Sequence, residues 1–266
     1  MCSDKFKLPT TSSFPRVMLK EQFELIANQY VKRNKSLLMN YVTLNTVLRS
    51  LGKIKNKSVL DVGCGNGYVC RKFYALGASR IVGIDISPKQ IELAKHSANN
   101  NKIEYVCGDA TDLKNIVKGT FDIVTSISVL NYIEIKKELG TIISNVFDKL
   151  NDGGKFVSIV VNPDIVLPSS TKYGRNLISL GVDRTKIADL EEFKIEFFDN
   201  AQEKIFETKA INYSRKTYEE FFLKAGFSVK WIQPSISTEG LKEMGKQFWE
   251  EFIANPYLVA IEGRKK

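Results

Sequence analysis

Within eleven residues the chain passes from an apolar run through a cluster of glycines into a helical pattern. Ser58-Val-Leu-Asp-Val62 is short and apolar, and Asp61-Val-Gly-Cys-Gly-Asn-Gly67 carries glycine at three alternate positions. A helical stretch, Tyr68 to Ala75, follows and stops at Gly77. A short apolar run opening into glycines reads as a buried parallel strand. The glycines allow that backbone to pass very close to another group.

The same rhythm continues. Arg80–Ile84 is a second strand, ending at Asp85. Ser87-Pro88-Lys89-Gln90 is a helix start, with serine as cap, proline first and glutamine three after the cap. That helix runs to Asn99-Asn100-Asn101. Ile103–Val106, Phe121–Ser126 and Phe156–Val161 are further strands, with a helix from Lys136 to Leu150 and a turn at Asn151–Gly154 before the last of them. Strands alternating with helices at this spacing imply an α/β fold: a parallel sheet with helices on both faces. Before it, Phe23/Ile26/Ala27/Tyr30 and Leu37/Leu38/Tyr41/Leu44/Leu48 predict two N-terminal helices, behind an irregular arm over residues 1–18. Residues 164–212 break the rhythm. Phe193–Phe197 and Lys204–Thr208 alternate there and predict an inserted antiparallel hairpin. A helix from Tyr218 to Ala225, a strand Ser228–Ile232, a helix Lys242–Ala254 and a strand Tyr257–Glu262 complete the chain. The expected units are a helical cover over 1–52, a core over 53–163, an inserted cover over 164–212 and completion of the core sheet over 213–266.

Several function classes are excluded by composition. Cys2, Cys64, Cys70 and Cys107 form no CxxC pair and no Cys/His cluster, so neither a structural zinc site nor any other metal site is expected. His96 is the sole histidine and falls on a helix surface, which argues against a Ser-His-Asp hydrolase. No apolar stretch approaches the ~20 residues that span a bilayer. Met1–Lys5 lack the apolar core of a signal peptide, so no membrane association and a cytoplasmic protein are expected. Net charge is +9, and residues 1–57 hold eleven Lys/Arg against three Asp/Glu. Such a segment reads either as a solvated surface or as an attractor of nucleic acid or an anionic substrate.

The glycine spacing separates two readings of the loop. A dinucleotide fingerprint has its third glycine three residues after the second; here it comes two after, at Gly67, and an acid, Asp61, precedes the loop. Asp85 ends the next strand and is placed to accept from both hydroxyls of a ribose. Gly108-Asp109-Ala110, after the third strand, could read an adenine amino group.

Taken together, the D-x-G-x-G-x-G loop, the acid ending strand two, the G-D-A step and the F-D-I-V fourth strand resemble the class I S-adenosylmethionine-dependent methyltransferases. The resemblance runs from about Lys57 to Val161. It implies a Rossmann-like seven-stranded, mostly parallel sheet whose last strand is antiparallel. The Phe248-Trp249…Asn255-Pro256-Tyr257 finish resembles a narrower group, the toxoflavin-biosynthesis-like methyltransferases of small molecules. The implied cofactor is S-adenosylmethionine, with S-adenosylhomocysteine as product. By the same resemblance, Asp61 and Gly63 lie beside its methionine part and Gly65 and Gly67 shape the loop; Cys64, between Gly63 and Gly65, is a cofactor-binding candidate with a competing reading as a small loop filler. Asp85 holds the ribose, Ile86 packs on the adenine, Asp109 bonds the adenine amine with Ala110 next to it, and Ser126 faces the methionine carboxylate or methyl group.

In this family the acceptor lies over the carboxyl ends of the strands, so the N-terminal helices and the 164–212 insertion are expected to form a lid. Tyr30 and Tyr132 are the candidate catalytic groups, since a hydroxyl on a rigid ring can orient a nucleophile or help remove its proton. Tyr41, Asn131, Tyr173 and Tyr213 are candidate acceptor contacts. Each tyrosine has a competing reading as a packing residue. The expected function is in-line methyl transfer to a nitrogen or oxygen of a small molecule. An RNA methyltransferase using the basic N-terminal segment and a non-catalytic cofactor-binding module stay open beside it.

Overall fold

In the computed structural model, residues 14–33, 36–98, 102–169, 171–181, 183 and 185–266 are described. Most of the arm, Cys2 and the Asn99–Asn101 stop lie outside them. The chain opens with α1 (Phe14–Leu25) and α2 (Ala27–Arg33), then a π-helical stretch Leu38–Thr43 that runs into α3 (Leu44–Leu51). The core follows as β1 (Ser58–Val62), α4 (Tyr68–Ala75), β2 (Arg80–Asp85), α5 (Pro88–Ser97), β3 (Ile103–Cys107), α6 (Leu113–Ile116), β4 (Phe121–Ile127), α7 (Lys136–Asp148) and β5 (Leu150–Val161). The inserted segment gives β6 (Arg175–Ser179), β7 (Glu192–Phe198) and β8 (Lys204–Ile211). The chain ends with α8 (Arg215–Ala225), β9 (Ser228–Ile232), α9 (Thr238–Met244), α10 (Glu250–Ala254) and β10 (Leu258–Arg264).

Seven strands form one sheet in the order β3-β2-β1-β4-β5-β10-β9. Only β10 runs against the others, antiparallel to both β5 and β9. Because both faces of the sheet are covered, successive residues of one strand feed different cores. Val59 packs with Val47, Phe73 and Ile81 on one face, and Leu60 packs with Val82, Ile143 and Phe222 on the other. Local signals set the helix ends. Ser87 Oγ accepts from Gln90 N at 3.3 Å, with Pro88 in the first turn of α5.

Four expectations change in detail. The insertion is a three-stranded antiparallel sheet, β6-β7-β8, rather than a hairpin. The five residues of β6, Arg-Asn-Leu-Ile-Ser, carry only a short alternation and so little strand signal. The Asn151–Gly154 turn is part of β5, whose first residue Leu150 pairs with Phe121. The single helix expected over Lys242–Ala254 is broken at Gly245, which has φ 77°. The two expected N-terminal helices are divided into shorter helical segments, and Gly52 closes the last one with φ 75°.

Candidate active site

The loop from β1 into α4 bends at the carboxyl end of the parallel strands. Gly63 has φ 71°, and a Cβ there would stand 2.3 Å from Val129 Cγ2. Gly67 has φ 72°, and a Cβ there would stand 2.3 Å from the Tyr105 hydroxyl. Neither position therefore admits a side chain. Gly63 N and Cys64 N both donate to Ile84 O, at 2.7 and 3.0 Å, which ties the loop to the end of β2.

Asp85 organises the neighbouring loop ends. Its carboxylate accepts from Gly65 N at 2.8 Å and Ser87 N at 2.9 Å, and its carbonyl accepts from Gly108 N at 2.9 Å. Burial raises its carboxyl above the usual range, against those two backbone donors. Each carboxylate oxygen keeps capacity for another donor. Asp109 is turned inward by an Asx turn, with Oδ1 accepting from Thr111 N and Thr111 Oγ1, both at 2.8 Å. Asp61 is 2% exposed and accepts from Thr125 Oγ1 at 2.7 Å and Cys70 Sγ at 3.5 Å. Burial pushes its carboxyl up to about 6, in spite of those two donors.

These groups line one side of a cavity together with Cys64, Asn66, Ile86 and Ala110. Phe23, Tyr30, Met39 and Tyr132 line the other side. Phe23 meets Tyr30 and Tyr132 edge-on, with ring centroids 5.9 and 5.0 Å apart. The insertion braces this second wall from outside. Phe206 of β8 packs on Tyr30 at 5.8 Å, Thr208 Oγ1 lies 3.1 Å from the Tyr132 hydroxyl, and Lys209 N donates to Gln22 Oε1 at 3.2 Å.

The structure thus brings together Tyr30, Tyr132, Asp61, Gly63, Cys64, Gly65, Asp85, Ile86, Asp109 and Ala110. It places six other candidates elsewhere. Gly67 sits behind the loop, against Tyr105. Ser126 is fully buried inside β4, one residue short of its end, and the cleft is reached instead by Ile127, Ser128 and Val129. Asn131 is 2% exposed, and neither atom of its side-chain amide has a hydrogen-bond partner among the described residues. The Tyr41 hydroxyl donates to Glu243, and its ring packs at Gly240. Tyr173 stacks on Trp249 at 5.6 Å and donates to Phe248 O at 2.8 Å, within the aromatic cluster that also holds Phe252 and Tyr257. Tyr213 is 1% exposed and donates to Ile133 O at 2.6 Å. Tyr173 and Tyr213 fill cores and donate to backbone carbonyls, and the half-buried Tyr41 donates to a carboxylate.

Sequence reasoning passed over several wall residues. Gln90 entered only as a capping residue, yet it is 1% exposed, lines the cavity, and its Oε1 has no partner among the described residues. Glu134 reaches the wall from the loop before α7, and Glu138 from its first turn. Their signal was the loop after β4, which must overhang the sheet's carboxyl edge. Among the described residues no group of three or more His, Cys, Asp or Glu is arranged to hold a metal ion. No helix there is long and apolar enough to cross a membrane. His96 is exposed on α5, as expected.

Comparison with known proteins agrees with this geometry. Residues 60–158 match a family described as "Methyltransferase domain". The mitochondrial ubiquinone biosynthesis O-methyltransferase of Schizosaccharomyces pombe is 31% identical over 128 residues, covering 45% of this chain and 44% of that one. The chain spans about half, or less, of the length of the curated relatives it matches. Two solved structures share the fold: an S-adenosylmethionine-dependent methyltransferase from Listeria monocytogenes, with TM-score 0.59, 22% identity and coverage of 84% of this chain and 95% of that one. The other is the magnesium protoporphyrin IX methyltransferase of Synechocystis with bound S-adenosylmethionine, with TM-score 0.58, 14% identity and coverage of 98% and 100%. Residues 60–158 thus carry a methyltransferase domain, and the strand order and strand-end acids around it are those that the resemblance to the class I S-adenosylmethionine-dependent methyltransferases implies.

Proposed function

We propose that the chain transfers a methyl group from S-adenosylmethionine to a nitrogen or oxygen of a small molecule held under the N-terminal helices. One observation carries this reading. A single cavity has Gly63, Gly65, Asp85 and Asp109 on one side and Phe23, Tyr30 and Tyr132 on the other. The residues fit the cofactor: the loop leaves no room for a side chain at Gly63, and Gln90 Oε1 is a buried acceptor in want of a donor.

In this reading Asp85 accepts from the ribose hydroxyls, Asp109 from the adenine amine, and Asp61 faces the methionine amine. When bound, S-adenosylmethionine supplies a methyl group on a sulfonium, electrophilic without acid activation. The chain then has to hold the acceptor nucleophile in line and keep water out. Phe23, Tyr30 and Met39 close the cleft with apolar surface. The Tyr132 hydroxyl, paired with Thr208, fastens the inserted sheet to that closure, and Tyr30, on the same cavity, is the candidate for contact with the acceptor. The sheet β6-β7-β8 serves as an outer brace of the lid. A cytosolic setting belongs to the same proposal, in keeping with the free thiols of Cys64, Cys70 and Cys107.

The test is calorimetry with S-adenosylhomocysteine, followed by turnover of labelled S-adenosylmethionine with small-molecule and RNA pools. Binding without any turnover would leave a non-catalytic module. Turnover on RNA alone, lost on neutralising Lys32, Arg33 and Lys35 and steeply weakened by salt, would move the acceptor to nucleic acid. Deleting residues 1–30 should abolish transfer and largely preserve cofactor affinity.

A further inference from the structure

We infer that Gln90 binds the ribose of the cofactor: its Oε1 accepts from one of the two hydroxyls and Asp85 from the other, which rests on the cofactor-binding reading above. The pair of hydroxyls given there to Asp85 is then divided between two acceptors. Ser87-Pro88-Lys89-Gln90 has the form of a capping box. In such a box the serine hydroxyl accepts from the backbone N–H three residues on, and the glutamine side chain reaches back to the serine N–H. Only the first half is made in this chain. Ser87 Oγ accepts from Gln90 N at 3.3 Å, but Ser87 N donates to Asp85 Oδ1 at 2.9 Å. Asp85 has thus taken the donor that the Gln90 side chain would ordinarily use.

Gln90 stays inside all the same. It is 1% exposed, and its Oε1 has no partner among the described residues. Buried polar atoms are as a rule paired, because an unmade bond costs the acceptor its desolvation. A side chain freed from its helix and kept buried at that cost calls for a donor that arrives with a ligand. Its place names the donor. Gln90 lines the cavity with Gly65 and Asp85. A Cβ on Gly65 would stand 3.8 Å from Gln90 Oε1, and Gly65 N donates to Asp85 Oδ2 at 2.8 Å. The amide oxygen and the carboxylate therefore flank one glycine. Two neighbouring acceptors suit two vicinal hydroxyls, each with one proton to donate. The remaining donors of S-adenosylmethionine are its two amines, which fall to Asp61 and Asp109 in the reading above. A charged ammonium is in any case better met by a carboxylate than by a neutral amide.

The test is calorimetry on the full chain with S-adenosylhomocysteine and its 2′-deoxy and 3′-deoxy forms. The native chain should lose roughly tenfold in affinity for each missing hydroxyl. Gln90→Met, similar in length but without the acceptor, should weaken S-adenosylhomocysteine by roughly the same tenfold. It should also become indifferent to the loss of one hydroxyl while the other still counts. Because this variant removes an unpaired buried acceptor, the melting temperature of the unloaded chain should hold or rise. Gln90→Glu keeps an acceptor at the same reach and should still distinguish both deoxy forms. Native affinity in Gln90→Met overturns the inference. So does a Gln90→Met chain that still needs both hydroxyls, since Asp85 would then hold the pair, or a native chain that tolerates the loss of either. Should Gln90→Met fail to fold, a Gln90→Glu chain indifferent to one hydroxyl overturns it. A native chain that binds none of the three compounds overturns the cofactor-binding reading, and this inference with it.

Discussion

The two walls of the cleft are made by different means. The wall proposed to hold the cofactor comes from three segments at the ends of strands: 62–69, 85–90 and 108–111. It is held largely by backbone groups, as in the 2.8 and 2.9 Å bonds from Gly65 N and Ser87 N to Asp85. The cover wall is assembled from side chains far apart in sequence. Phe23 and Tyr30 meet Tyr132, and all are braced by Phe206 and Thr208. Backbone contacts are indifferent to most substitutions, whereas side-chain contacts change with each one. The first wall can therefore stay fixed while the second is varied to suit an acceptor.

Gly63 offers the sharpest way to break the first wall. An alanine there meets Val129 Cγ2 at 2.3 Å in addition to φ 71°. Gly63→Ala should cost about 3 kcal/mol of folding stability and abolish measurable binding of S-adenosylhomocysteine. Gly65 is the control, since it shares the left-handed backbone at φ 53° but has nothing nearer to a Cβ than Gln90 Oε1 at 3.8 Å. Gly65→Ala should cost only ~1 kcal/mol in denaturant unfolding. Equal losses at the two positions would mean that close packing on Val129 is not what the loop requires.

Asp85→Ala tests the same wall by its charge. Removing a carboxylate that accepts charge-assisted bonds should weaken S-adenosylhomocysteine by roughly 1.5–3 kcal/mol, on the order of ten- to a hundredfold. The variant should still fold, with some loss of stability because Gly65 N and Ser87 N lose their acceptor. Unchanged affinity in a folded variant would show that the ribose lies elsewhere.

Changes in the cover should give the opposite signature. Thr208→Val removes the partner of the Tyr132 hydroxyl and should cost ~1 kcal/mol of stability. Its effect, and that of Tyr30→Phe, should fall on turnover more than on cofactor affinity. If Thr208→Val weakened S-adenosylhomocysteine as much as Asp85→Ala does, the two walls would not be separable.

This division also governs how much could be read from the sequence. Asp61, Gly63, Gly65, Asp85 and Asp109 were legible because a strand, its terminal acid and its glycine turn lie within one another's reach along the chain. The seven strands of the main sheet were legible from the same local rhythm, and the antiparallel last strand followed from the family resemblance, while the strand order is a tertiary fact. Tyr30 was legible for a different reason: its helical stripe with Phe23 pointed inward. Tyr41, Tyr173 and Tyr213 carried the same apolar and polar signals, yet they satisfy carboxylate or carbonyl partners such as Glu243, Phe248 and Ile133. Nothing local distinguishes a ring that fills a core from one that walls a cleft. Ser126 was misplaced by the length of β4, since a strand one residue longer carries the next residues to the edge. Glu134 and Glu138 depend on how that edge is overhung, which is a tertiary fact.

Asp61 supplies the smallest effect and the finest test of the cofactor wall. Burial pushes its carboxyl up to about 6 from an ordinary value of 3.8. Below about pH 4 it carries a proton in the folded and the unfolded chain alike. Between about 4 and 6 the folded chain retains a proton that the unfolded chain has lost, so this group's contribution to stability falls as pH rises through that window. A cationic amine beside it would favour the ionised form and displace the proton. At pH 8 Asp61 is already ionised, and binding of S-adenosylhomocysteine should release no proton from it. At pH 6 binding should release about half a proton, seen as a dependence of the calorimetric heat on the buffer's ionisation enthalpy. Affinity should fall about fourfold, or ~0.8 kcal/mol, from pH 8 to pH 5.5. Asp85 also titrates from a raised value, so the comparison with Asp61→Asn isolates the effect. That variant should bind more weakly throughout and lose most of the pH dependence. A native chain whose affinity and buffer dependence stayed flat across this range would move the methionine amine away from Asp61, leaving Asp85 and Asp109 as the parts of the wall that hold charge.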